Sequence, residues 1–273
     1  MAWLSKRGSG SVRLTFTIKE HGMKKFLVVP VAALFLAACS ESTAPTAVAN
    51  SPNFAPRADF VAAGLGDSFD FEGGFSAAAS PFSPNRVDDI PSDTYSRGGK
   101  GFLGKFTNDA VTIGTSYVGN GWLNFDLYIE GTWDGNAKGK YGPDVLAISA
   151  YCGSTITGTP AATFVTSFSN KATTKQSFPG SYPAASYAGL TGATHLDELG
   201  FSAAGEVLTT NHAVSTYDAV YSLSFAYPAA CATAGAVTFV LSSNTLQSPT
   251  DEFWGIDNVS VTASAANTAH SWQ

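Results

Sequence analysis

The side chains able to do chemistry are few and mostly acidic: 21 Asp and Glu, four His and three Cys in 273 residues. Asp126 and Glu130 fall on alternate positions of one apolar/polar run and therefore share a strand face. Two carboxyls on one face are what retaining glycosidases use, at about 5–5.5 Å. Here the spacing Asp126-Leu127-Tyr128-Ile129-Glu130 is completed by no third acid. Asp134, Asn136 and Asp144 gather within eleven positions, in the segments 132–136 and 141–144. Two readings stand for them. Asp134-Gly135 is a strong hairpin-turn signal, and the same oxygen-bearing side chains could face a ligand or a metal. An EF-hand is excluded, because the alternating Asp/Asn ligands and closing Glu are missing. His195, His212 and His270 have no mutual ligand spacing and read as surface residues. No Gly-x-Ser-x-Gly, phosphate loop or dinucleotide fingerprint occurs.

Aromatic side chains supply the other candidate chemistry. A pyranose ring has an apolar C–H face that stacks on Trp and Tyr. Trp122, Trp133, Tyr141, Tyr182 and Tyr187 are candidates for that work, against the alternative of core packing. Tyr182 and Tyr187 lie in a long aromatic-, Pro- and Gly-containing loop at 176–190. Such loops on a rigid scaffold are common recognition sites.

The elements that must position these residues are strands. Between 122 and 130, Leu123, Phe125, Leu127 and Ile129 alternate with polar positions. The run 219–227 repeats the pattern with Tyr221, Leu223, Phe225 and Tyr227, and Val237, Phe239 and Leu241 form another row. Shorter strands are expected at 68–72, 110–113, 145–150, 163–168 and 256–262. Gly-, Pro-, Asn- and Ser-rich turns separate them. One short helix is expected near 193–199. Many short alternating strands with turn signals predict an all-β fold, an antiparallel sandwich of jelly-roll type. Hydrophobic residues at 44% and aromatics at 12% exclude a disordered chain, and 13% charged residues exclude a coiled coil. The net charge of −6 argues against a nucleic-acid partner.

Charge is unevenly placed. Residues 1–38 hold six of the 15 Lys and Arg and one acid, leaving nine bases and 20 acids, a net of −11. Met23-Lys24-Lys25 followed by an apolar run to Ala38 reads as a targeting segment. That run, of about 13 residues, is too short to span a bilayer, which needs ~20. Leu36-Ala37-Ala38-Cys39 resembles the lipobox of bacterial lipoproteins. The resemblance implies cleavage before Cys39, its lipidation, and a membrane anchor. Ser40, in place of the Asp that commonly retains lipoproteins at the inner membrane, points to the outer membrane of a double-membrane host. Residues 1–22 precede a complete signal and read as an over-extended start. Residues 39–66, rich in Ser, Thr, Ala and Pro, read as a flexible tether. In an exported, oxidising compartment Cys152 and Cys231 are expected to form a disulfide, with free thiols as the alternative.

Phe69-Asp70-Phe71-Glu72 near the front and Phe253-Trp254-Gly255-Ile256-Asp257-Asn258-Val259 near the back resemble the terminal strands of galactose-binding-like and MAM-like jelly rolls. Segments 102–106 (Phe-Leu-Gly-Lys-Phe) and 133–136 (Trp-Asp-Gly-Asn) resemble related exported bacterial modules. The resemblance covers residues 67–263 and leaves 264–273 as a disordered tail. It implies that the first and last strands lie side by side, so that Glu72 and Asp257 could hold a structural calcium. The alternative is that both acids bond backbone amides. Taken together, the expectation is a lipid-anchored envelope protein that binds glycan or extracellular polymer. A polysaccharide-active hydrolase or lyase, or a purely structural surface lipoprotein, are the alternatives.

Overall fold

A computed structural model of the chain describes residues 62–72, 80–92, 95, 99–117, 119–201, 217–248 and 250–273. Cys39, His212, the targeting segment and most of the tether lie outside the described residues. Among the described residues no helix is long and apolar enough to cross a membrane.

Two antiparallel sheets face one another. The central strands of the first are β4 (Gly101–Phe106), β14 (Glu252–Thr262), β6 (Trp122–Gly131) and β12 (Asp218–Ala226), in that order. The second runs β5 (Ala110–Ser116), β13 (Ala236–Ser243), β7 (Val145–Cys152) and β8 (Ala162–Ser167). These eight central strands alternate between the sheets in chain order except for the β7–β8 hairpin, which is jelly-roll connectivity. The fold class expected from alternation is thus the fold observed. Short strands complete the edges. These are β2 (Phe82–Ser83) on β5, β3 (Val87–Asp89) on β4, and β11 (His195–Leu196) on β12. β9 (Lys175–Gln176) and β10 (Tyr187–Ala188) pair with each other as a two-stranded sheet. The terminal strands do meet: β1 (Ser68–Phe69) pairs with β14, Ser68 opposite Ser260 and Phe69 opposite Val259.

Alternation dictates the core. Leu123, Phe125, Leu127 and Ile129 of β6 point inward with Tyr221, Leu223 and Phe225 of β12. Facing them are Val111 and Ile113 of β5, Leu146 and Ile148 of β7, and Val237, Phe239 and Leu241 of β13. Each fully buried large side chain stabilises by roughly 1.5–3 kcal/mol. Truncating one, such as Phe225, would also leave a cavity and cost about 3–5 kcal/mol.

The first sheet carries a second layer on its outer face. Phe102, Tyr128, Val220 and Phe253 are covered there by Ile90, Tyr95, Leu199 and Phe201. The even positions of β6 are therefore buried too, which period-two alternation does not reveal. Asp126 and Glu130 are fully buried. Asp218 lies opposite Glu130, and Asp257 opposite Asp126. Asp218 Oδ1 accepts the amides of Glu198 and Leu199 at 2.9 and 3.1 Å, and Oδ2 those of Gly200 and Phe201 at 3.0 and 3.2 Å. That carboxylate pins the covering segment.

Three boundaries differ from expectation. The helix expected at 193–199 is absent; the stretch forms β11 and a turn held by Asp218. The tether ends before 66, because Ala63 is buried and its backbone bonds Gly114 and Ser116. Residues 264–273 are not a disordered tail: β15 (Thr268–His270) pairs in parallel with β12, and Trp272 Nε1 donates to the Ala226 carbonyl at 2.7 Å. Low hydrophobicity disguised that segment, since His270 and Trp272 carry nearly all its packing.

Candidate functional site

The acids at the seam of the first and last strands are both occupied. Glu72 Oε1 accepts the Gly101 amide at 2.7 Å. Asp257 accepts the Tyr128 hydroxyl at 2.8 Å and the Asn258 amide at 2.7 Å. Burial pushes the Asp257 carboxyl up to about 7, with Asp126 and Glu72 adding repulsion against the Tyr128 and Asn258 donors. The two acids thus stand near each other, as the adjacent terminal strands require, while each bonds donors of the protein.

A second acidic group lies where β6 leaves the sheet. Gly131, at φ 86°, sits so close to the Asp251 carbonyl that any Cβ would clash with it. The following Trp133 ring is fully buried, and its Nε1 donates to the Phe253 carbonyl at 3.0 Å. Trp133 is therefore a core residue and not a ligand-stacking one. Its anchoring fixes Asp134 beside the start of β14. Gly135, at φ 60°, reverses the chain. Asp144 then returns, its amide bonded to the Gly135 carbonyl at 2.9 Å and its Oδ2 accepting the Asp134 amide. One carboxylate oxygen each from Asp134, Asp144 and Glu252 lie within 4.8 Å of one another.

Asp144 and Glu252 are fully buried. Burial, then the neighbouring Glu252 charge, raise the Asp144 carboxyl to about 8 despite the Asp134 amide. Burial likewise raises Glu252 to about 7, with Gln247 donors opposing and Asp251 and Asp134 adding to the rise. The neighbouring cation is Lys171, its Nζ 2.7 Å from Asp134 Oδ1. Asp144 Oδ1 is buried with no hydrogen-bond partner among the described residues. The turn and the oxygen cluster, read from sequence as alternatives, coexist here. Glu252 was missed because 108 positions separate it from Asp144 and only the sheet brings it back.

Asn136 serves the fold. Its Oδ1 accepts the hydroxyls of Ser167 and Ser177 at 2.5 and 2.9 Å, and its Nδ2 donates to the Ala185 carbonyl at 3.2 Å. It thereby ties the β6–β7 loop to the 176–190 loop. Tyr141 and Tyr187 are exposed, at 55% and 41%, while Trp122 and Tyr182 are half-buried.

The same 176–190 loop forms one wall of an open groove of about 560 Å³. Pro179, Gly180 and Ser181 face the C-terminal segment His270–Gln273 across it, with Phe164 at the floor. His270 packs against the rings of Phe178, Phe164 and Phe225 at 5.1, 5.7 and 5.7 Å. It is buried rather than a surface residue, and burial lowers its pKa to about 4. Its Nε2 has no partner among the described residues. This half of the groove was illegible in sequence, because it depends on the last residues joining the sheet. Asp126 and Glu130, the carboxylate pair a hydrolase would need, line no such groove; both lie beneath the outer layer.

Cys152 and Cys231 form a disulfide with an S–S distance of 2.06 Å, joining the end of β7 to the short 3-10 turn Ala229–Cys231. His195 lies at the surface edge, its Nδ1 3.1 Å from Glu198 Oε2. No protein-family model matches the chain, and no curated protein is similar to it in sequence.

Proposed function

We propose that this chain is an exported envelope lipoprotein, anchored through Cys39, whose β-sandwich binds glycan or extracellular polymer. The observation that carries the reading is the groove between the 176–190 loop and the C-terminal segment. It is open, as binding an internal stretch of a polymer requires. It combines the Trp272 ring with hydroxyl side chains, the mixture that pyranose rings need. The side chains of Ser181, Thr268 and Ser271 on its lining offer hydrogen bonds to hydroxyls, while half-buried Trp272 offers an apolar face. The tether after Cys39 would hold this surface away from the bilayer, at the outer membrane if the host has one.

The hydrolase or lyase alternative loses its carboxylate pair to burial, so binding without turnover is the reading preferred. The experiment is a glycan array of neutral and acidic oligosaccharides probed with the soluble Cys39→Ser protein. Retention on a related set of glycans supports the reading. Uniform absence of binding, with the protein folded and its disulfide formed, would leave the structural-lipoprotein reading in its place.

A further inference from the structure

We propose that Asp134, Asp144 and Glu252 form a calcium site that fastens the β6–β7 loop to the start of β14. Three carboxylates brought within 4.8 Å repel one another, and two of them are fully buried. Within the protein, Lys171 offers partial compensation, bonding the most exposed of the three acids from the solvent side. The independent observation is Asp144 Oδ1: a buried carboxyl oxygen with no donor among the described residues. An oxygen in that position costs free energy unless something positive meets it.

The donor set selects the ion class. All three side chains offer hard carboxylate oxygen, and no imidazole or thiolate among the described residues joins the group, so calcium or magnesium fits better than zinc. Magnesium keeps several waters and demands near-octahedral geometry, whereas calcium accepts irregular, protein-supplied oxygens. Burial of Asp144 and Glu252 leaves little room for water and favours calcium. Such an ion would join residues far apart in sequence, and through Asn136 would brace the 176–190 loop that walls the groove.

The site is distinct from the Glu72–Asp257 seam: Gln247 bonds both Glu252 oxygens and Lys171 bonds Asp134, but Asp144 Oδ1 is left over, whereas the seam acids accept the Gly101, Tyr128 and Asn258 donors. It does not depend on glycan binding, and its test reads the metal alone. The purified protein is stripped with chelator and titrated with calcium chloride by calorimetry and by melting. One calcium should bind, raise the melting temperature by several degrees, and bind more tightly than magnesium. Asp144→Asn and Glu252→Gln should each weaken calcium by about tenfold or more, since affinity follows ligand charge. Lys171→Met should tighten it, because it frees Asp134 from a competing cation. That variant keeps the proposal falsifiable should the buried substitutions fail to fold. Glu72→Gln should leave the affinity unchanged. No heat and an unmoved melting curve at millimolar calcium would overturn the site. So would an affinity indifferent to Lys171→Met, or one abolished by Glu72→Gln. Magnesium binding more tightly than calcium would overturn the choice of ion.

Discussion

Asp218 is the residue whose substitution should be felt most sharply outside the apolar core. Its two oxygens accept four consecutive amides, from Glu198 to Phe201, at 2.9–3.2 Å. Alanine would leave those donors without the carboxylate, and a buried unsatisfied donor costs about 1–3 kcal/mol. Against this, burial pushes the Asp218 carboxyl up to about 6, with the Asp197 charge adding to the rise and the amides opposing it. The ionised form is thus disfavoured by roughly 3 kcal/mol relative to an ordinary Asp, at ~1.4 kcal/mol per pK unit. Four donors at that cost, less the relief of about 3 kcal/mol, leave a net loss of about 1 kcal/mol at the least for Asp218→Ala at neutral pH. Asp218→Asn retains one acceptor oxygen and should lose less. A raised folded-state pKa means that the folded protein holds its proton while the unfolded chain has released it. The stability this adds is present below the unfolded value near 4 and is lost as pH rises through 6. Between pH 5 and pH 8 the wild type should lose about 1 kcal/mol through this residue. Asp218→Asn should lack that component. The assay is urea unfolding at both pH values, followed by tryptophan fluorescence, with the m-value checked for constancy. An Asp218→Ala protein as stable as wild type, or an unchanged pH difference in Asp218→Asn, would deny the carboxylate this role.

The disulfide closes a separation of 79 residues, and loop-closure entropy for that length gives about 4–5 kcal/mol as an upper figure. The Cys152→Ser, Cys231→Ser double variant should therefore lose several kcal/mol in denaturant unfolding, and the wild type should yield no thiol signal from this pair until reduced. The lowered pKa of His270 has the opposite sign from Asp218: its contribution is present above the ordinary value near 6.5 and is lost as pH falls toward 4. His270→Phe, in a pocket of Phe164, Phe178 and Phe225 rings, should erase up to about 3 kcal/mol of that acid-side loss, read by unfolding at pH 7.5 and pH 4. Cys39→Ser should abolish acylation and release or mislocalise the protein, with mass spectrometry of the wild type starting at a lipidated Cys39; recovery of residues 1–38 on the mature wild-type protein would contradict it.

The sandwich was legible because its strands obey alternation. β6, β12 and β13 announce their inner faces residue by residue, and turn-forming residues separate the elements. The outer layer was not legible, because alternation assumes that one face is wet. Once Ile90, Tyr95, Leu199 and Phe201 cover the first sheet, the polar positions of β6 become buried carboxylates. Asp134 and Asp144 were visible as a cluster near a turn, whereas Glu252 joins them only through strand pairing with Gly131. Trp133 was misjudged for a related reason: a Trp beside Asp-Gly reads as an exposed loop residue. Its indole instead reaches the Phe253 carbonyl across the β6–β14 junction. Long-range closure decides such cases, and no local pattern encodes it.

Occupancy of the groove tests the central claim most directly. Ser181→Trp places a large ring between the 179–181 wall and the C-terminal segment without touching the core strands. Binding of the wild type and this variant should be compared by affinity electrophoresis through gels carrying the glycans retained on the array. The wild type should be retarded, Ser181→Trp should lose the retardation, and the two should share one melting temperature. A wild type that migrates freely through every glycan, or a variant retarded as strongly as the wild type, would contradict it.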